Sequence, residues 1–129
     1  MTLSASDTEL DLLPPWDASA LARAVGDNPA VHKRLMGKYL ESAAATVSAI
    51  ASSVARGDWQ VAAEQSHRLK SSSRAVGAVR LGALCEALER EGRAGNGAGC
   101  APLAQAVRAG FEMAATQIRA HLSHMADAS

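Results

Sequence analysis

The chain has 129 residues, enough for one domain that buries most of its apolar surface without disulfide staples. Thirteen Lys and Arg balance thirteen Asp and Glu, and the resulting formal net charge of zero gives no electrostatic case for a nucleic-acid or anionic-membrane partner. Hydrophobic residues make up 48%, with alanine dominant and only two Trp, one Tyr and one Phe among them. Alanine with leucine, glutamate and arginine, and no useful run of alternating β-branched or aromatic residues, predicts an all-α fold.

Residues 1–15 read as a flexible or extended leader ending in Pro14-Pro15. The opening "MTLSASDTELDLLPP" has neither the basic start nor the apolar run of a signal peptide, and nothing approaches the ~20 apolar residues of a membrane span. A cytoplasmic setting is expected. "WDASALARAV" then predicts a short helix, with Asp17 as N-cap and Trp16 packed on Leu21 as a hydrophobic staple. Gly26 stops it, and Asn28-Pro29 supplies a cap and a first-turn proline for the next helix.

That second helix is expected over residues 29–56, because Met36, Tyr39, Ala43, Val47, Ile50 and Val54 recur at spacings of three and four. Gly57 ends it and Asp58 is the expected cap of a third helix over 59–76, with Ala62, Ser66, Leu69, Ser73 and Val76 facing inward. In that setting the Ser73 hydroxyl is expected to bond back to the preceding turn. Gly77 reads as a structural, helix-ending glycine that lets neighbouring helices approach. A fourth helix follows with Leu81, Leu84, Cys85 and Leu88 as its apolar face, Cys85 being a small buried hydrophobe in a reduced setting. Four glycines in "GRAGNGAG", residues 92–99, predict a loop. Pro102 is expected to open a last helix reaching about Met125, with Leu103, Val107, Phe111, Ala114, Ile118 and Leu122 along one side. Short links between long helices imply an antiparallel, up-down four-helix bundle over 16–126, with a short additional N-terminal helix and a tail at 127–129.

The informative face is on the third helix. Glu64, Lys70, Ser71 and Arg74 lie three, four or seven positions from His67 and so share its side, while Leu69 points to the core. His67 is therefore expected in water, with an exposed cation one turn on and a small residue at 71. A histidine of ordinary pKa, ~6.5, is largely neutral in the cytoplasm and a good nucleophile toward phosphorus. In-line phosphoryl transfer needs donor and acceptor almost in contact, which small neighbours permit. His-x-Leu-Lys alone is a weak pattern, and a solvated helix face would look the same.

The longer segment adds to it. "SHRLKSSSRAVGAVRLGALCEALE" resembles the signature of histidine-containing phosphotransfer (HPt) domains through His67, Leu69, Lys70, Ser72, Ser73, Gly77, Ala78, Leu81, Leu84, Cys85, Leu88 and Glu89. "GDNPAVHKRLMGKYLESA" and "ARGDWQVAAEQSH" are similar to the family's preceding segments, so the resemblance spans roughly residues 16–125. It implies a monomeric four-helix bundle of bacterial two-component signalling, without autokinase activity. His67 would accept a phosphoryl group from a receiver-domain aspartate and pass it to another receiver. Lys70 would steady the phosphate. The partners implied are response-regulator receiver domains and a hybrid sensor histidine kinase. The chain would need no cofactor of its own, because the receiver brings Mg²⁺. Position 71 departs from the family, which usually has glycine where this chain has Ser71; serine is small enough to keep the approach open.

Glu64, Ser71, Arg74 and Leu40 are candidates for partner docking and close approach, with Leu35 beside Leu40 as a further apolar contact. The competing reading is a helical adaptor that docks on a receiver or kinase without carrying phosphate. A metal site would have to use His121 and His124, but no acidic residue at suitable spacing completes it. His32 reads as a surface residue, and no His/Asp pair can be assigned to activate a serine of the 71–73 run.

Overall fold

A computed structural model of the chain describes residues 10–128. From residue 20 onward five helices follow in order: α1 (Ala20–Val25), α2 (Pro29–Arg56), α3 (Trp59–Val76), α4 (Val79–Arg93) and α5 (Gly97–Ala128). The four long helices close into a ring, α3 packing on α2 and α4, and α5 packing on α4 and α2. Their connections are only two or three residues long, so each runs antiparallel to the one before it. The all-α bundle expected from the sequence is the fold. The short α1 lies against α3.

Each long helix buries the stripe its spacing marks out. Met36, Tyr39, Ala43, Val47 and Ile50 of α2 meet Leu69 and Val76 of α3, Leu81, Leu84, Cys85 and Leu88 of α4, and Val107, Phe111, Ala114 and Ile118 of α5. Burying each large side chain contributes about 1.5–3 kcal/mol. Two polar pairs reaching this core meet across helices, while the buried Ser66 hydroxyl has no hydrogen-bond partner. The Tyr39 hydroxyl lies 2.7 Å from Ser73 Oγ, and Ser53 Oγ donates to Gln65 Oε1 at 2.9 Å. The Ser73 hydroxyl thus bonds to α2 and not to the preceding turn of its own helix. Burial raises the Tyr39 phenol to about 12 despite that hydrogen bond, keeping it neutral.

Several helix ends differ from the sequence expectation. Asn28 caps α2 as expected, its Oδ1 accepting from the Ala30 and Val31 amides. Asp58 does not cap α3 with its side chain, because its carboxylate pairs with Arg56 Nε at 3.1 Å. Asp17 stands two residues before the N-cap of α1, Ser19; it accepts from the Ser19 amide and hydroxyl and pairs with Arg23. Those bonds hold its carboxyl at about 2. Trp16 stands three residues before the N-cap of α1 and packs against the core cluster that contains Leu21. Its indole N–H donates to the Val76 carbonyl at 2.9 Å and its ring stands edge-on to His121, with centroids 5.3 Å apart.

The largest correction concerns residues 92–99. Gly92 is still helical and α5 begins at Gly97, leaving 94–96 as the connection, and Asn96 Oδ1 accepts from the Gly99 amide as a cap. Pro102 therefore lies inside α5, where it deprives the Ala98 carbonyl of its usual helical donor. Gly95 serves the turn at φ +69° with nothing near it, whereas Gly92 and Gly97 are needed for packing. A Cβ on Gly97 would sit 2.5 Å from the Trp59 ring, and one on Gly92 would sit 2.7 Å from the Trp59 carbonyl. At its far end α5 runs to Ala128, past the expected Met125.

Residues 1–9 of the expected leader lie outside the described residues. From Leu10 the chain is held on the bundle: Arg80 donates to the Leu13 and Asp11 carbonyls at 2.9 Å each, and its amide donates to the Pro14 carbonyl. The Asp17 amide then bonds the Gly77 carbonyl at 2.7 Å. Gly77 ends α3 at φ +96°, and a Cβ there would lie 2.2 Å from the Asp17 carbonyl oxygen. What approaches at Gly77 is thus the segment leading into α1. Gly77→Ala should cost about 1–3 kcal/mol from the left-handed backbone alone, with the clash added. Urea unfolding at neutral pH measures this, and a variant as stable as wild type would contradict the packing described.

Candidate functional site

His67 lies near the middle of α3 with its side chain 53% exposed. Its Nδ1 lies 3.0 Å from Glu89 Oε2, a carboxylate on α4. Lys70 Nζ donates to the other oxygen, Oε1, at 2.8 Å. Arg93, one turn along α4 from Glu89, adds two bonds to Oε2 through Nη2 at 3.0 Å and Nε at 3.2 Å. One carboxylate therefore gathers an imidazole, an ammonium and a guanidinium from two helices.

Burial opposes ionisation of Glu89, but the hydrogen bonds from Lys70, Arg93 and His67 outweigh it and hold the carboxyl down at about 2. An ionised carboxylate only accepts, so the bonding proton must sit on His67 Nδ1. That fixes the tautomer and leaves the Nε2 lone pair free. With two cations against one anion, the cluster carries a surplus positive charge beside an exposed nucleophile.

Lys70 is not the free, exposed cation expected from its spacing. Its side chain is 17% exposed, because α4 comes close enough for Glu89 to take the ammonium. Ser71 is exposed, and its hydroxyl folds back on the His67 carbonyl at 3.3 Å. Glu64 is exposed on the same row. Arg74 lies across α4 toward Glu86, 3.5 Å away. Leu40 and Leu35 are half-buried against the core. The register set by Tyr39–Ser73 and Ser53–Gln65 puts Leu40 level with Ser72, more than a turn from His67. His32 Nε2 contacts the Gly26 carbonyl at 2.6 Å.

Spacing along α3 did not select Glu89 and Arg93, because they belong to α4. A signal was present: Glu89 follows Leu88 at the edge of the buried stripe, four residues after Cys85, with Arg93 one turn later. A carboxylate at such an edge needs cations, and only a neighbouring helix can supply the rest.

Among the described residues, no three His, Cys, Asp or Glu are grouped to hold a metal ion, and no helix is long and apolar enough to cross a membrane. A family model described as "Hpt domain" matches residues 34–128. The chain belongs to the Hpt family. No curated protein and no solved structure matches it. Hpt domains serve two-component signalling as phosphotransfer intermediates, with receiver domains among their partners, and are not enzymes in the turnover sense.

The electrostatics of the site have a signature in acid. Glu89 is held near 2, below its ordinary 4.5, so the stability of its ionised form is present above about pH 4.5 and lost as pH falls through about 2. Glu89→Gln removes that titration, leaving Asp17 to act alike in both proteins. Urea unfolding between pH 5 and ~2 should show a shallower acid limb for the variant, and equal limbs would rule out the Glu89 cluster.

Proposed function

We propose that this Hpt chain relays phosphate between receiver domains, with His67 as the phosphoacceptor. The observation that carries the reading is the Nδ1–Glu89 hydrogen bond at 3.0 Å on an exposed ring, which in the neutral imidazole puts the proton on Nδ1 and the lone pair on Nε2. The Nε2 lone pair forms the N–P bond as the phosphorus–oxygen bond of the receiver's aspartyl phosphate breaks, and the aspartate leaves with that electron pair. No proton has to leave the ring. Its Nδ1 proton stays on the ring, hydrogen-bonded to Glu89, while the ring becomes cationic. Onward transfer reverses these bond changes toward a second aspartate.

Charge supports the same direction. A phosphoryl group brings close to two negative charges, and a phosphorylated imidazolium cancels the surplus positive charge of Lys70, Arg93 and Glu89. Lys70 is the phosphate-steadying cation, already within reach of the site through Glu89. Ser71 supplies a low neighbour, while Glu64, Arg74 and Leu40 form outlying parts of the docking face. The receiver contributes Mg²⁺ and the reacting aspartate; the bundle contributes nucleophile and field. The chain acts as a monomer in the cytoplasm, receives phosphate from a hybrid sensor kinase or its receiver, and has no autokinase activity.

Incubation with a phosphorylated receiver domain should produce acid-labile phosphate on the wild type and none on His67→Gln. Label retained in His67→Gln, or a wild type that binds the receiver without acquiring label, would favour the adaptor reading. Lys70→Ala should fold, with a loss on the order of 1 kcal/mol for a half-buried ion pair. It should slow transfer by about tenfold or shorten the phosphohistidine lifetime, since a positioned charge at the transferring group is lost. Equal rates and lifetimes would remove Lys70 from the mechanism.

A further inference from the structure

The row that carries His67 continues through Ser71 to Arg74, whose long side chain could rise into the path of an approaching protein. It does not rise. The stem of Arg74 lies flat on α4 at Gly82: a Cβ on that glycine would sit 2.8 Å from Arg74 Cγ, 3.3 Å from Nε and 3.5 Å from Cδ. Beyond it, the guanidinium reaches Glu86, one turn further along α4, at 3.5 Å. Both ends of that pair are about half exposed, so the ion pair contributes little to stability. The contact with Gly82 is the tight one. Glycine inside a helix is unfavourable relative to alanine, and Gly82 is the fourth residue of α4, so the fold gains nothing locally by having it.

We infer that Gly82 is a seat for Arg74, parking the arginine across α4 so that the approach to His67 over Ser71 stays open. This rests on phosphotransfer at His67. Between His67 and Arg74 the row is low, because the Ser71 hydroxyl is folded down on the His67 carbonyl. A methyl at position 82 would come within 2.8 Å of Arg74 Cγ, closer than the stem can stay. The arginine is flexible and would yield by lifting off α4, toward the surface that a receiver must cross. Transfer tolerates little such displacement, since reacting atoms must come almost into contact. Gly82 is thus a positioning residue that acts through Arg74.

The test is a double-mutant cycle with wild type, Gly82→Ala, Arg74→Ala and the double variant, using a phosphorylated receiver domain that labels the wild type. Gly82→Ala should slow transfer by about tenfold or more when Arg74 is present. It should change the rate by less than about twofold in the Arg74→Ala background, because the obstructing side chain is gone. Labelling of His67 by phosphoramidate, a donor too small to be obstructed, should be equal in all four proteins. The Tm of Gly82→Ala should be no lower than that of wild type. Equal slowing in both backgrounds, no slowing in either, a matching loss with phosphoramidate, or a lowered Tm would overturn the seat. If the wild type takes no label on His67 from either donor, the phosphotransfer reading itself fails and takes the seat with it.

Discussion

The close approach of α3 and α4 is the constraint on which the rest depends. It is made by residues that lack side chains at the seam. Gly92 leaves room for the Trp59 carbonyl and the Ala63 methyl, and Gly82 leaves room for the stem of Arg74. Only because the two backbones come this near can a short glutamate side chain on α4 reach both an imidazole and an ammonium on α3. The same closeness explains why Lys70 is largely shielded from water while His67, one turn away, is not.

At that seam, Glu89 sets the chemistry of its neighbours without being able to react itself. Its carboxylate dictates which imidazole nitrogen carries the proton, draws the lysine in from solvent, and is kept ionised by the groups it organises. The two remaining reactive side chains of the core are inert by comparison. Burial raises the Cys85 thiol to about 12, and Cys100 is shifted up by the same cause. Under the proposed reading only one of the two isomeric phosphohistidines can form, since Nδ1 has no lone pair to offer.

Much of this was legible before any coordinates. The apolar stripes of α2, α3 and α4 follow helical spacing closely, and the punctuation by Asn28-Pro29, Gly57 and Gly77 is local chemistry, so those boundaries could be read from the chain. His67 and its row could be placed for the same reason. What failed depended on tertiary contact. Gly92 and Gly97 looked like part of a loop because loops and tight helix packing demand the same residue, and only the position of Trp59 decides between them. Ser73 bonds Tyr39 because another helix offers a hydroxyl at the right height, and Asp58 turns to Arg56. Glu89 was visible as part of a pattern but silent as a partner, because spacing within one helix reports neighbours of that helix alone.

The segment before α2 carries a different consequence. The family match starts at residue 34, inside α2, whereas the fold is tied together from Leu10 onward through Arg80, the Trp16–Val76 bond and the Asp17–Gly77 bond. The stretch of sequence that relatives hold in common is therefore shorter than the piece of chain that must be present to complete this bundle. A fragment cut at the shared boundary would begin past the Asn28 cap, lose the Trp16 donor to the Val76 carbonyl and leave the Gly77 carbonyl with the Val79 amide alone. Ancestry and architectural self-sufficiency have different borders in this molecule.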